Sequence, residues 1–418
     1  MISCYSVVTI ILSATNMLFL EGQAMHRFLS LGVVAMAAIS CLGVVDTTPA
    51  VTGNTEFACD LYGKLKTNSG NVFFSPFSIS AALGMTAAGA KGDTLTEMLK
   101  TLHLPGENAH AGFAELFQQL SSGPKATYEL SIANALWGQK GFPFRSEFKD
   151  LIAKNYGGGM RDVDYRKPVE AAATINRWVS DQTKERIKDI VSPMMLKSDT
   201  RLVLTNAIYF KGQWQSQFPK ASTKEEPFLF ADGKSNPVPM MHQSGHFRYA
   251  EVDGVQVLEL PYKGNRLSMV LMLPKEKNRL EKAVESKLNQ TAISKMLNAV
   301  QDKKGNVALP RFEFKTNYKL EEPLQELGMK RAFTSAADLS GIATAEALNI
   351  DFVVHKAFIK TDEEGSEAAA ATAVGVARAA APIEERFDFR ADHPFVFMIR
   401  DMPTGSLLFM GRVSNPKD

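Results

Sequence analysis

The stretch that most restricts what this chain can become is Glu363-Glu-Gly-Ser-Glu-Ala-Ala-Ala-Ala-Thr-Ala-Val-Gly-Val-Ala-Arg378-Ala-Ala-Ala-Pro382. It begins acidic, continues through small residues, and carries one cation near its far end. Without large apolar groups it buries little area, and Gly375 and Pro382 oppose a long helix. An Ala-rich run ordinarily reads as a helix or a solvated linker. Position argues otherwise here. The segment sits between the strand-like Asp351-Phe-Val-Val-His-Lys-Ala-Phe-Ile-Lys360 and the apolar Pro394-Phe-Val-Phe-Met-Ile399, with only a short tail beyond. Read with period two, Ser366, Ala368, Ala370, Thr372, Val374 and Val376 share one face that is neither charged nor bulky, and Glu367 falls on the other. The pattern predicts a strand held in reserve, exposed first and able to enter a sheet later.

Composition excludes several functions. Among 418 residues, 47 basic against 45 acidic side chains leave +2, with no like-charge block, so no strong field draws nucleic acid. The 45% apolar content suits a large globular core. No His-Glu-x-x-His, Cys-x-x-Cys or Gly-x-Ser-x-Gly occurs, Gly233-Lys-Ser235 lacks the upstream glycine of a phosphate loop, and the seven histidines do not cluster. Neither catalytic residue, metal site nor cofactor is expected.

Two apolar runs lie in the first 45 residues. Met25-His-Arg27 followed by 28–42 has the basic, apolar, small-residue order of a signal peptide, leaving Met1 and Met25 as candidate starts. Ala38-Ile-Ser-Cys41 weakly resembles a lipoprotein box, so membrane attachment is expected only through a lipid on Cys41. Residues 1–45 are thus expected to be a targeting region and the protein to act outside the cytoplasm. Cys59 is the one thiol outside that region and reads as core.

Beyond it, 54–418 reads as one domain. Helical periodicity covers 57–66, 78–89, 93–102, 109–120 and 171–190, and strand patterns cover 201–210, 255–261, 268–273, 306–314 and 349–360. Helices early and strands late predict an α+β fold with mixed or antiparallel sheets. The pieces at 157–159 and 232–239 read as turns, and Asn289-Gln-Thr291 is a glycosylation sequon.

Motifs along 56–416 give this chain a specific resemblance. Asn71-Val-Phe-Phe-Ser-Pro-Phe-Ser-Ile-Ser80, Thr205-Asn-Ala-Ile-Tyr-Phe-Lys-Gly-Gln-Trp214, Pro239-Met-Met241, Leu309-Pro-Arg-Phe312, Val354-His-Lys-Ala357, Asp392-His-Pro-Phe-Val-Phe397 and Phe409-Met-Gly-Arg-Val-Ser-Asn-Pro416 follow one another in order and spacing. Together they resemble the serpins, the serine-protease-inhibitor fold family. The resemblance implies three sheets, eight or nine helices and an exposed reactive-centre loop at about 363–386. It implies a monomer, able to form loop–sheet polymers, that traps a serine protease as a covalent acyl complex and then inserts the cleaved loop into the main sheet. A storage, carrier or chaperone role is the alternative.

The hinge would comprise Glu363, Gly365, Ser366, Glu367, Ala368, Ala369, Ala370 and Ala371, whose composition favours inhibition. Family spacing puts the reactive bond at Ala379-Ala380, suiting an elastase-like target. Arg378-Ala379, one residue earlier, would suit a trypsin-like one. By resemblance Ser75, Ser78, Asn206 and His355 form a shutter beneath the opening sheet, and Trp214, Arg311 and Glu363 a breach at its top.

Overall fold

Apolar residues spaced three and four apart close the first helix onto the core. In α1 (Thr48–Leu65), Phe57, Ala58, Leu61, Tyr62 and Leu65 are all buried. The helix starts upstream of 54 because Ala50, Gly53 and Asn54 also pack inward, Asn54 Nδ2 donating to Leu407 O at 2.8 Å. A computed structural model describes residues 48–417 apart from 67–69, 105, 107–108, 122–127, 157–158, 344–347 and 367–385. Five helices follow, interleaved with the first three strands: α2 (Pro76–Ala87), α3 (Gly92–Thr101), α4 (Ala109–Ser121), α5 (Ser146–Tyr156) and α6 (Pro168–Gln182). Later come α7 (Leu280–Ala283), α8 (Gln290–Ala299) and α9 (Glu321–Glu326). Nine α-helices therefore lie among the described residues, within the expected number.

Every residue of α2 is buried, and its start is set by Pro76 in the first turn and by Ser75, whose Oγ accepts from Ser78 N at 3.1 Å. The helical pattern over 171–190 stops short at Gln182. Lys184 and Glu185 take left-handed φ values of 50° and 61°, and the Thr183 hydroxyl donates to Val179 O at 2.7 Å while accepting from Ile187 N. The chain is thereby turned out of the helix.

The strands are β1 (Val72–Phe74), β2 (Tyr128–Gln139), β3 (Gly159–Val163), β4 (Leu202–Gln213), β5 (Lys224–Leu229), β6 (Ser235–Val252), β7 (Val255–Pro261), β8 (Leu267–Pro274), β9 (Gln301–Pro310), β10 (Phe312–Lys319), β11 (Phe352–Thr361), β12 (Gly365–Ser366), β13 (Phe387–Arg390), β14 (Phe395–Asp401) and β15 (Leu407–Val413). One ladder runs β10-β11-β4-β2-β3, with β12 on β4. The other runs β1-β15-β14-β8-β7-β6-β9-β13, with β5 on β6. The long β6 pairs first with β5, then β9, then β7, so two of the three expected sheets are joined in one ladder. The expected strand over 306–314 is divided at Arg311 between β9 and β10, and the turn expected over 232–239 ends where β6 begins at Ser235. Pro237 is tolerated there because it faces Pro227 of the short edge strand β5.

The core lies between the ladders. Phe73 stacks on Phe409 at 5.3 Å and on Phe397 at 5.8 Å, joining α2's surroundings to β14 and β15. β4 is central and divides its side chains by period two. Leu204, Ile208 and Phe210 enter this core. Val203, Ala207 and Tyr209 face the opposite side, where Ala172, Ile175 and Val179 of α6 cover the sheet.

Candidate functional site

The seam between β4 and β11 is the centre of the site. The two strands run parallel and are directly paired from Phe352↔Val203 to Phe358↔Tyr209. A chain placed between them would run antiparallel to both. β12 already does so at the upper end, with Gly365 opposite Gln213 and Ser366 opposite Gly212.

A tight turn delivers the chain to that position. Asp362 N donates to Gly365 O at 2.8 Å and Gly365 N returns to Asp362 O at 3.2 Å. Gly365 has φ +147°, and a Cβ there would lie 2.1 Å from Gly212 O, so only glycine fits. Ser366 is fully buried with its Oγ 2.9 Å from the Tyr262 hydroxyl. Trp214 fastens the turn twice, its backbone N to Glu364 O at 2.9 Å and its indole Nε1 to Asp362 O at 3.0 Å.

The side chains of the acidic pair are clamped as well. Arg311 Nε lies 2.8 Å from both carboxylate oxygens of buried Glu363, and Thr223 donates its hydroxyl to the same carboxylate. Burial pushes the Glu363 carboxyl up, but hydrogen bonds from Arg311 and Thr223 outweigh it and hold the group below its usual range. Glu364 receives Lys220 Nζ at 2.5 Å.

Lower in the seam lies a buried polar network. His355 of β11 sits opposite Asn206 of β4 and donates Nδ1–H to its side-chain oxygen. Its Nε2 accepts Ser75 N–H at 3.2 Å. Asn206 Nδ2 donates to Ser78 Oγ at 2.6 Å and to Asn134 Oδ1 at 2.5 Å, and Ser78 Oγ donates to Asn134 Oδ1 at 3.0 Å. Burial drives the His355 pKa down to about 3, and Nε2 already accepts the Ser75 N–H.

The depressed pKa has a stability consequence. The unfolded chain takes up this proton near the ordinary value of 6.5 and the folded one resists it to about 3. The contribution is therefore complete above 6.5 and declines as pH falls, by up to about 1.4 kcal/mol per unit. Unfolding at pH 5 is expected to require about 2 kcal/mol less than at pH 7.5 from this group alone. Denaturant titrations of the wild type and His355→Gln check this; an equal pH slope in both would contradict it.

The expected residues divide into three groups. Trp214, Arg311 and Glu363 converge on the turn at 362–365. Ser75, Ser78, Asn206 and His355 meet in one network. Glu367, Ala368, Ala369, Ala370, Ala371, Arg378, Ala379 and Ala380 lie outside the described residues, as does the targeting region at 1–45. Sequence reasoning missed Asn134, Tyr262, Thr223 and Lys220. Only Asn134 left a signal, as a lone amide in Ile132-Ala-Asn-Ala-Leu-Trp137. Among the described residues, no group of three or more acidic, His or Cys side chains could hold a metal, and no helix is long and apolar enough to cross a membrane.

Comparison with known proteins places this geometry in a family. The model for "Serpin (serine protease inhibitor)" matches residues 52–416. An uncharacterized serpin-like protein of Thermococcus kodakarensis is 48% identical over 375 residues, covering 88% of this chain and 86% of that protein. The leukocyte elastase inhibitor of Bos taurus is 42% identical, covering 87% of this chain and 98% of its own length. Uncleaved ovalbumin in its crystal structure superposes with a TM-score of 0.81 at 34% identity, covering 88% of this chain and all of that one. With Gly365 and Ser366 paired to β4 at the head of a central seam and a family match across residues 52–416, the chain belongs to the serpin family.

Proposed function

We propose that this protein inhibits serine endopeptidases as a suicide substrate. The observation that carries the reading is the antiparallel pairing of Gly365 and Ser366 with β4 at the head of the β4–β11 seam. Continued downward in the same register, Ala368 would face Phe210, Ala370 Ile208, Thr372 Asn206, Val374 Leu204 and Val376 Leu202. Residues 365–376 would then cover all 12 residues of β4. The small even-numbered side chains would fall on the core face with Leu204, Ile208 and Phe210, and Glu367 on the opposite face. Thr372 would reach the polar network at the point where parting strands would leave Asn206 and His355 without each other.

The chemistry follows from that geometry. The protease attacks the loop and forms an acyl-enzyme at Arg378-Ala379 or Ala379-Ala380. Cleavage frees 365–376 to enter the seam, and one parallel pairing is exchanged for two antiparallel ones. About a dozen new ladder hydrogen bonds at about 1 kcal/mol each supply a drive of order 10 kcal/mol. The acyl-linked protease is drawn along β4, about 40 Å at about 3.4 Å per residue, and is distorted before water releases it. The Met25-to-Leu42 pattern supports action outside the cytoplasm.

Incubation with trypsin and with an elastase tests the reading. An SDS-stable complex with either is expected, and the mass of the released C-terminal peptide distinguishes Arg378 from Ala379 as the acylated residue. Clean loop cleavage without a complex would favour the carrier or storage alternative.

The clamp on Glu363 makes a second prediction. Glu363→Lys would set a cation against Arg311 and free the turn at 362–365. Breaking a buried pair costs roughly 3–5 kcal/mol, and the partial exposure of Arg311 lowers that figure. The seam would open at its head and accept the loop of another molecule. Native gels after mild heating are expected to show ladders for the variant and monomer for the wild type; monomer alone in both would contradict the clamp's role.

A further inference from the structure

A cavity of about 210 Å³, with Trp214 in its lining, opens between the exit of β4, the end of β7 and the β6–β9 pair. Buried Trp214, Phe247 and Leu260 give it apolar walls. Arg248, His246 and Asp302 contribute charge at its edge. The ion pairs around it leave guanidinium donors of Arg248 open to the cavity. Glu259, fully buried, accepts from Arg248 Nε at 2.6 Å and from Arg400 Nη2 at 2.7 Å, so one carboxylate serves two guanidiniums. Asp302 is engaged by His246 Nδ1 at 3.2 Å. Arg248 spends only its Nε on Glu259, and the side chain is 45% exposed where it lines the cavity. An apolar hollow bordered by the open guanidinium nitrogens of Arg248 suits a ligand with a flat apolar body and an anionic head. The volume lies below the roughly 300–1,000 Å³ of sites for drug-sized ligands, which limits the body to one or two rings.

We propose that this cavity binds a small aromatic carboxylate and that the bound ligand holds the hinge closed. The second part rests on the loop-insertion reading above. Its physical basis is Trp214, which lines the cavity and also donates to the carbonyls of Asp362 and Glu364. The indole is also stacked on Tyr262 at 4.7 Å, and Tyr262 in turn contacts Ser366. A ligand packed against Trp214 in this position favours the arrangement in which the turn is fastened, and by linkage disfavours its release.

Calorimetric titration of the intact protein with 2-naphthoate tests the site. Saturable binding is expected, at least tenfold tighter than that of the uncharged 2-naphthalenemethanol, and lost in Ser216→Trp, which fills the cavity from an exposed position. Equal binding of acid and alcohol, or undiminished binding by the variant, would overturn the site. Rates of covalent complex formation with saturating 2-naphthoate test the coupling. A fall of threefold or more is expected, and an unchanged rate would overturn the coupling while leaving the site. A protein that forms no protease complex even without ligand would instead refute the inhibitor reading, whatever the titration shows.

Discussion

Under the proposed inhibitory mechanism, Ser366→Arg is expected to turn the protein from a trap into a substrate. Ser366 is fully buried, with its hydroxyl against Tyr262 and its backbone paired to Gly212. An arginine there must either place its guanidinium in the layer formed by Phe210 and Tyr262 or stay outside and keep β12 off β4. Burying an uncompensated charge costs several kcal/mol. Each 1.4 kcal/mol added to the insertion barrier slows it about tenfold. Three kcal/mol would therefore slow insertion on the order of 100-fold, and hydrolysis of the acyl-enzyme would win. The yield of SDS-stable complex is set by the ratio of insertion to hydrolysis, so it should fall while cleaved, uncomplexed protein accumulates. Full complex yield from the variant would show that Ser366 does not lead the insertion.

Of the segment read as a hinge, the described part is Glu363 to Ser366, where the turn and the pairing of Gly365 and Ser366 with β4 lie. A segment that must pass between two strands shows as a period-two run of small residues. The structure pairs Gly365 with Gln213 and Ser366 with Gly212, and the rest of the run lies outside the described residues. The polar network was legible only through motif resemblance, and incompletely. Asn134 meets Asn206 across β2 and β4, 72 residues apart in sequence, and nothing local to either residue announces the partner. Thr223 and Lys220 reach Glu363 and Glu364 across 140 and 144 residues and sit in an ordinary-looking polar stretch.

Among the elements, strongly patterned β11 and β4 were read nearly to their ends, whereas β2, β5 and most of β6 were missed. The middle of β6 carries His242, Gln243, Ser244, Gly245 and His246. That run has no apolar alternation because backbone pairing with β9 and polar side-chain contacts to Glu226, Asn306 and Asp302 hold it. The helix expected through 190 failed for a related reason: the residues after Gln182 keep helical composition, but left-handed Lys184 and Glu185 turn the chain away.

Stored stability is the account's central claim. If the intact fold withholds a strand from the β4–β11 seam, cleaving the loop should make the protein more stable, although cutting a chain ordinarily does the reverse. A drive of order 10 kcal/mol acts on a domain whose unfolding entropy is about 2.1 cal/mol/K per residue. For a unit spanning Thr47–Asp418 this raises the midpoint by at least about 10 °C. The inserted segment would also shield the seam from denaturant, so the cleaved form should unfold more slowly as well. The measurement is calorimetric unfolding of the intact protein beside the same protein cleaved in its loop by a protease that it does not trap. The account predicts a midpoint for the cleaved form higher by 10 °C or more. An unchanged or lower midpoint would contradict it, and would leave a serpin whose loop is cut without entering the sheet.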